Sequence, residues 1–176
     1  HGAIGHHVQN YYAKHARSRI GQVAAIDCAS RIGMFCGGSL AEGWACYATD
    51  LMGEVGFLTD LEMVAEQHSH LRQLARAIVD IKLHQRSWTE GDARRFYRRR
   101  VGMSEGAAAR EVTRTSMFPG TAIMYWLGTR GIHDLRDALQ RSEGAEFSLR
   151  SFHDRFLSHG SIPVQLIARL MTENTR

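Results

Sequence analysis

His1 and His6 on one short stretch, with Glu42 on a later segment, are the residue types that hold a zinc ion. Two imidazole nitrogens come from adjacent turns and a carboxylate is brought in from another helix. Three protein ligands leave a fourth position open, and a water bound there becomes a nucleophile. In the HExxH…E arrangement that performs this chemistry, a glutamate directly follows the first histidine and takes the proton from that water. Here Gly2 follows His1, and the next acid along the chain is Asp27. The ligand types are present; the base is not. His1 and His6 also lie five residues apart, whereas neighbours on one face of a regular helix are three or four apart. Taken alone, the histidines read as readily as solvent-facing residues or a tag remnant. Glu42 alone reads as a first-turn acid complementing a helix dipole.

Ligands from separate segments need rigid elements to aim them, and the chain between them reads as helix, turn, helix. A helix is expected from His6 to about Arg17, with Val8, Tyr11, Tyr12 and His15 on one face. Residues 20–38 are less regular and rich in Gly and Ala. Ser39 is placed to cap a helix running through Glu42 to about Glu54. Thr59 and Glu62 form a capping box that opens the clearest helix, in which Leu61, Val64, His68, Leu71, Leu74, Ile78 and Ile81 recur at i, i+3, i+4, i+7 spacing. Helices follow from Trp88-Thr89 to about Val101 and from Ser104 to Met117. Pro119, as a first-turn proline, opens another to about Ser142, and the spans 148–157 and 163–172 complete the set. No stretch alternates with period two. The expectation is a single all-α domain of seven or eight helices over residues 1–176.

Composition narrows the functional classes. The 176 residues are 44% apolar and 23% charged, which suits a globular domain with a sizeable core. The net charge of +4 comes mainly from arginines spread over solvated helix faces, so no nucleic-acid partner is expected. Even the run from Arg94 to Arg100 places Phe96 and Tyr97 to dock on a core while its arginines face water. Three cysteines with no CxxC spacing, Cys28, Cys36 and Cys46, fit neither a disulfide framework nor a four-ligand zinc site, and read as small buried thiols. No apolar run is long enough to span a membrane.

Five segments in order carry a resemblance. They are GHHVQ at Gly5 to Gln9, EGWACY at Glu42 to Tyr47, RAIVDIKLHQRSWT from Arg76 to Thr89, FPGTAIMY from Phe118 to Tyr125, and FHDRFLSHGSIPVQLI from Phe152 to Ile167. With them the chain resembles the C-terminal part of the bacterial DUF885 family, a zincin-like group placed with the gluzincin metallopeptidases. That family's motifs run HExxPGHxxQ, EGWALY, RLVVDTGLH…GWT, PGQALAY and FHDxxLxxGxxPL. The resemblance implies the C-terminal part of a zincin-like helical metallopeptidase fold, with the family's long N-terminal helical region lying outside this chain.

Residue by residue, the resemblance makes His6 and Glu42 metal ligands. His1 matches the first histidine only if one residue, the catalytic glutamate, is deleted before Gly2; without a gap, His1 falls on the glutamate position itself. Ile4 stands where the motif has proline, Thr49 where a glutamate is frequent, and Trp126 where a lysine is common. His84 and Tyr125 are implied at the cleft as donors to the developing oxyanion, with a helix-end histidine and a core tyrosine as the plainer alternatives. Asp80 would either orient His84 or pair with Arg76. His153, His159 and Gly160 read as a structural turn between the last two helices.

The implied activity is zinc-dependent hydrolysis of peptides, weak or absent without the glutamate. The alternative is a non-catalytic helical module that completes its fold by association, as a homo-oligomer or against a missing N-terminal region or partner chain. A third reading takes His1 as a processed N-terminus chelating copper with His6 or His7, and both the helical pattern and the family match argue against it. The compartment, cytoplasm or periplasm, stays open.

Overall fold

The computed structural model describes residues 1–23 and 33–173, with no side chains described at 23 and 33–37. Asp27 and Cys28 lie outside the described residues, as does the side chain of Cys36; Cys46 is buried. Among the described residues the fold is all-α. A π-turn at Gly2–His7 leads into nine α-helices: α1 (Val8–Lys14), α2 (Arg19–Val23), α3 (Gly33–Glu54), α4 (Asp60–His84), α5 (Glu90–Val101), α6 (Glu105–Met117), α7 (Met124–Glu143), α8 (Leu149–Ser158) and α9 (Val164–Glu173). The short α2 is the helix added to the eight spans expected, within the stretch read as irregular. No described helix is long and apolar enough to cross a membrane.

The chain gathers into two compact units, His1–Leu51 with Leu127–Arg176, and Met52–Trp126. In the first, Trp44 and Tyr47 of α3 pack against Ile132 and Leu135 of α7, Phe152 and Phe156 of α8, and Ile167 of α9. In the second, Ala75 and Val79 of α4 receive Ala93 and Tyr97 of α5 and Ala108 and Val112 of α6. Tyr97 is fully buried and Arg98, Arg99 and Arg100 face water, as the spacing of that run predicts. Burial pushes the Tyr97 hydroxyl up to about 12.

Helix starts set by local chemistry fall where expected. Thr59 Oγ1 accepts from Glu62 N while Thr59 N donates to Glu62 Oε2 at 2.8 Å. Thr89 and Asp92 repeat the box on α5, and Ser104 and Ser148 cap α6 and α8. Starts that depend on distant partners differ. Ser39 does not cap α3, which already begins at Gly33. It lies inside that helix, where its buried Oγ accepts from Val164 N at 3.2 Å and so serves the first residue of α9. Pro119 does not open α7. Residues 119–123 form turns, and the helix begins at Met124, because the carboxylate of Asp80 takes the backbone N–H of Gly120 at 2.9 Å and of Ile123 at 3.1 Å. His153 lies within α8, not in a turn, whereas Gly160 does form the turn after it, at φ +74°.

The stripe whose spacing announces α4 is not what α4 buries. Leu61, Val64, Leu71, Leu74, Ile78 and Ile81 are all exposed, from 41% to 79%. The buried face carries Ala75, Ala77, Val79 and Asp80. Small residues let α5 and α6 approach closely on that side, and periodicity alone does not say which face a neighbour takes.

One close crossing organises the first unit. A Cβ built on Gly43 of α3 would lie 2.5 Å from the Gly128 backbone of α7, and one on Gly128 would lie 1.9 Å from the Ser39 carbonyl oxygen. Gly128→Ala is therefore expected to cost about 3 kcal/mol by forcing the helices apart, lowering the melting temperature by about 6–12 °C. Gly106→Ala, whose added carbon meets only the far end of Arg110 inside α6, should instead stabilise by about 0.4–1 kcal/mol. Thermal and urea unfolding of both variants checks this.

Candidate functional site

The first unit brings His1, His6 and Glu42 together. Their ligand atoms all lie within 4.8 Å of one another. The five-residue spacing, out of register for an α-helix, is accommodated by the π-turn: His6 N donates to His1 O at 3.0 Å, an i to i+5 bond. The widened turn sets the two rings edge to face, 5.1 Å apart at 87°.

Glu42 reaches them because the N-terminal segment lies against α3. Gly5 is buried, and a Cβ there would sit 3.1 Å from Ala45 Cα. Beside it, Trp44 Nε1 donates to the Ile4 carbonyl at 3.1 Å.

The donor set fits a zinc ion. Two imidazoles and a carboxylate are one of its catalytic ligand combinations, and bonds of about 2.0–2.2 Å at tetrahedral angles draw ligand atoms to about 3.4 Å of one another. The 4.8 Å bound leaves small side-chain rotations to reach that. None of the three side chains spends its ligand atoms on a hydrogen bond or ion pair among the described residues. No acid follows His1, so the position of the general base is vacant in the sequence itself.

Behind the ligands stands a polar network that sequence reasoning missed. Tyr47, the last residue of EGWACY, is fully buried. Its hydroxyl lies 2.9 Å from His153 Nε2 and accepts from Arg136 at 3.2 Å. The Arg136 guanidinium also sits over the Tyr47 ring at 5.7 Å, and His133, bonded to Asp50 at 2.8 Å, meets the ring edge. These contacts tie α3 to α7 and α8. The only signal for them was the recurrence of Tyr and His within motifs more than a hundred residues apart. Thr49, at the position where a glutamate is frequent, turns its hydroxyl back to the Ala45 carbonyl at 3.1 Å.

His84 and Tyr125 belong to the second unit. His84 ends α4, and its Nδ1 donates to Asp80, with carboxylate and carbonyl oxygens each at 2.8 Å. Asp80 thus orients His84, while Arg76 pairs with Glu111 instead. With Nδ1–H committed, Nε2 accepts a proton in the neutral ring and donates only in the protonated one. Tyr125 is half-buried in the first turn of α7, with the Arg76 guanidinium 5.7 Å from its ring centre. Arg76 grips Glu111 at two points, Nε to Oε2 at 2.8 Å and NH2 to Oε1. Burial alone would raise the Glu111 carboxyl, but the hydrogen bonds and charge of Arg76 outweigh it and hold the group below its ordinary value.

A family model described as a bacterial protein of unknown function, DUF885, matches residues 1–171. The chain matches the solved structure of a protein described as a lipoprotein, of unknown function, from Shewanella oneidensis. The TM-score is 0.81 at 28% identity, covering 97% of this chain and 30% of that one. A second protein described as a lipoprotein, from Colwellia psychrerythraea, matches with a TM-score of 0.80 at 24% identity, covering 98% of this chain and 28% of that one. The latter likeness shows the fold alone. The chain spans about 30% of the length of these solved structures. No curated protein matches it.

Asp80 is buried to 2% exposure and accepts three hydrogen bonds from His84, Gly120 and Ile123. Asp80→Ala should cost about 3–5 kcal/mol by leaving these donors unpaired, and Asp80→Asn, which keeps one acceptor oxygen, about half of that, both read by urea unfolding. Glu111, held below its ordinary value, contributes stability above the unfolded-state value near about 4.3 that is lost as pH falls through its lower folded value. The gap between wild type and Glu111→Gln, about 2 kcal/mol at neutral pH, should therefore close on acidification below about pH 4.

Proposed function

The chain belongs to the bacterial DUF885 family, and on that footing we propose that it carries a zinc-binding, peptidase-like hydrolase site that lacks its catalytic base. The observation that carries this reading is the meeting of the His1, His6 and Glu42 ligand atoms within 4.8 Å, each with its donor atoms unspent. Zinc held there supplies a Lewis acid for a peptide carbonyl and acidifies its bound water. His1 and His6 give neutral nitrogen donors from the π-turn, and Glu42 gives an oxygen from α3. The buried Tyr47, Arg136 and His153 network stiffens the helix from which Glu42 projects.

By the family resemblance, His84, oriented by Asp80 within the second unit, and Tyr125, beside Arg76, would serve as donors to developing negative charge. No acid directly follows His1 to take the proton that a glutamate there would accept. Peptide hydrolysis is accordingly expected to be slower than with that base by a factor on the order of a hundred to ten thousand.

A non-catalytic helical module is the second reading. The exposed apolar stripe of α4 and the small share of the solved structures that this chain spans favour it.

Metal analysis by plasma mass spectrometry on chelator-free protein separates the two. Near-stoichiometric zinc that is lost in Glu42→Ala is the expected result. Inserting Glu between His1 and Gly2 in the zinc-loaded protein should then raise hydrolysis of a peptide library by the factor above. Zinc-free protein would sink the metal-site reading and leave the helical module.

A further inference from the structure

Three arginines of the second unit share one groove. Arg94, Arg95 and Arg98 of α5 each pair with a nearby acid: Glu90, Asp92 and Glu105. Arg72 of α4 and Arg110 and Arg114 of α6 line one open groove, and among the described residues none of them makes a salt bridge. Arg110 and Arg114 are one helical turn apart, and both are exposed. The acid on the groove wall, Glu111, is already gripped at two points by Arg76. His68, beside Arg72, donates its Nε2–H to the Val101 carbonyl at 3.2 Å. The groove thus presents three guanidinium groups outside any salt bridge among the described residues, with Arg72 and Arg114 adding their charge to that of Arg76 around Glu111.

We propose that this groove binds an acidic peptide segment through two or more of its carboxylates. A guanidinium offers its N–H groups in a planar fork that matches a carboxylate at two points. The groove holds about 310 Å³ of space, more than a single ion needs. Val101, Met103 and Ala107 add apolar wall, against which the methylenes of glutamate side chains can lie. All of these residues lie within 52–126, so the proposal goes beyond the metal-site reading and does not depend on it.

The test is fluorescence anisotropy of labelled oligoglutamate and oligoglutamine peptides with the full chain. Oligoglutamate should bind and oligoglutamine should not, with binding weakened as salt rises from about 50 to 300 mM. Arg110→Gln and Arg114→Gln should each weaken binding roughly tenfold, and exposure at both positions keeps the fold out of question. Arg150→Gln, at a 93% exposed side chain of the other unit, should leave it unchanged, as should a chelator. Equal binding of oligoglutamine, or unaltered affinity in the Arg110→Gln and Arg114→Gln double variant, would overturn the proposal. So would displacement of the peptide by inorganic phosphate at matched concentration, or loss of binding with chelator.

Discussion

The first unit depends on backbone meeting backbone where α3 crosses α7. Gly43 and Gly128 leave no room for a Cβ on either side, so the helices touch through peptide groups, and dispersion between the chains takes the place of side-chain interdigitation. Gly43 directly follows Glu42. The crossing that draws α3 against α7 therefore also fixes the rotation of α3 about its axis, and with it the direction in which Glu42 projects. On the N-terminal side of the same helix, Gly5 repeats the device against Ala45. Glu42 is aimed by glycines, which have no chemistry of their own.

The second unit depends on a charge. Asp80 is a buried carboxylate without an arginine or lysine partner in its hydrogen bonds; it is satisfied by two backbone amides and one imidazole. Burying such a group is costly unless it is fully hydrogen-bonded, and here the need is met by the turn at 119–123. The Gly120 amide, a free first-turn donor in any helix beginning at Pro119, and the Ile123 amide, which would bond back to Pro119 in such a helix, are captured by a side chain about forty residues upstream. The helix start is displaced to Met124 by that competition, which no local propensity records.

What was legible in the sequence follows the same division. The helix class, the capping boxes at Thr59 and Thr89, the caps at Ser104 and Ser148, and the docking of Phe96 and Tyr97 were readable, because each is decided within a turn or two of chain. The role of Ser39, the bond from Tyr47 to His153 and the Gly43–Gly128 crossing join positions 85 to 125 residues apart, and nothing nearby betrays them. The α4 stripe misleads for a related reason. Periodicity detects an apolar face but not what covers it, and the neighbours chose the face with the smaller side chains. The candidate ligands were legible as residue types, and the resemblance supplied their order.

The spacing of His1 and His6 shows why sequence geometry alone argued against a site that the fold assembles. Five residues are out of register for an α-helix and in register for one π-turn, and a π-turn costs hydrogen-bond quality that surrounding contacts must offset. Those contacts are present: Trp44 holds the Ile4 carbonyl and Gly5 seats against Ala45. All of them act on the backbone between the two histidines. None involves the residue after His1, where the base would stand. The contacts that bring the three candidate ligand side chains together are thus separate from the residue after His1. Packing secures their meeting whatever side chain stands at that position.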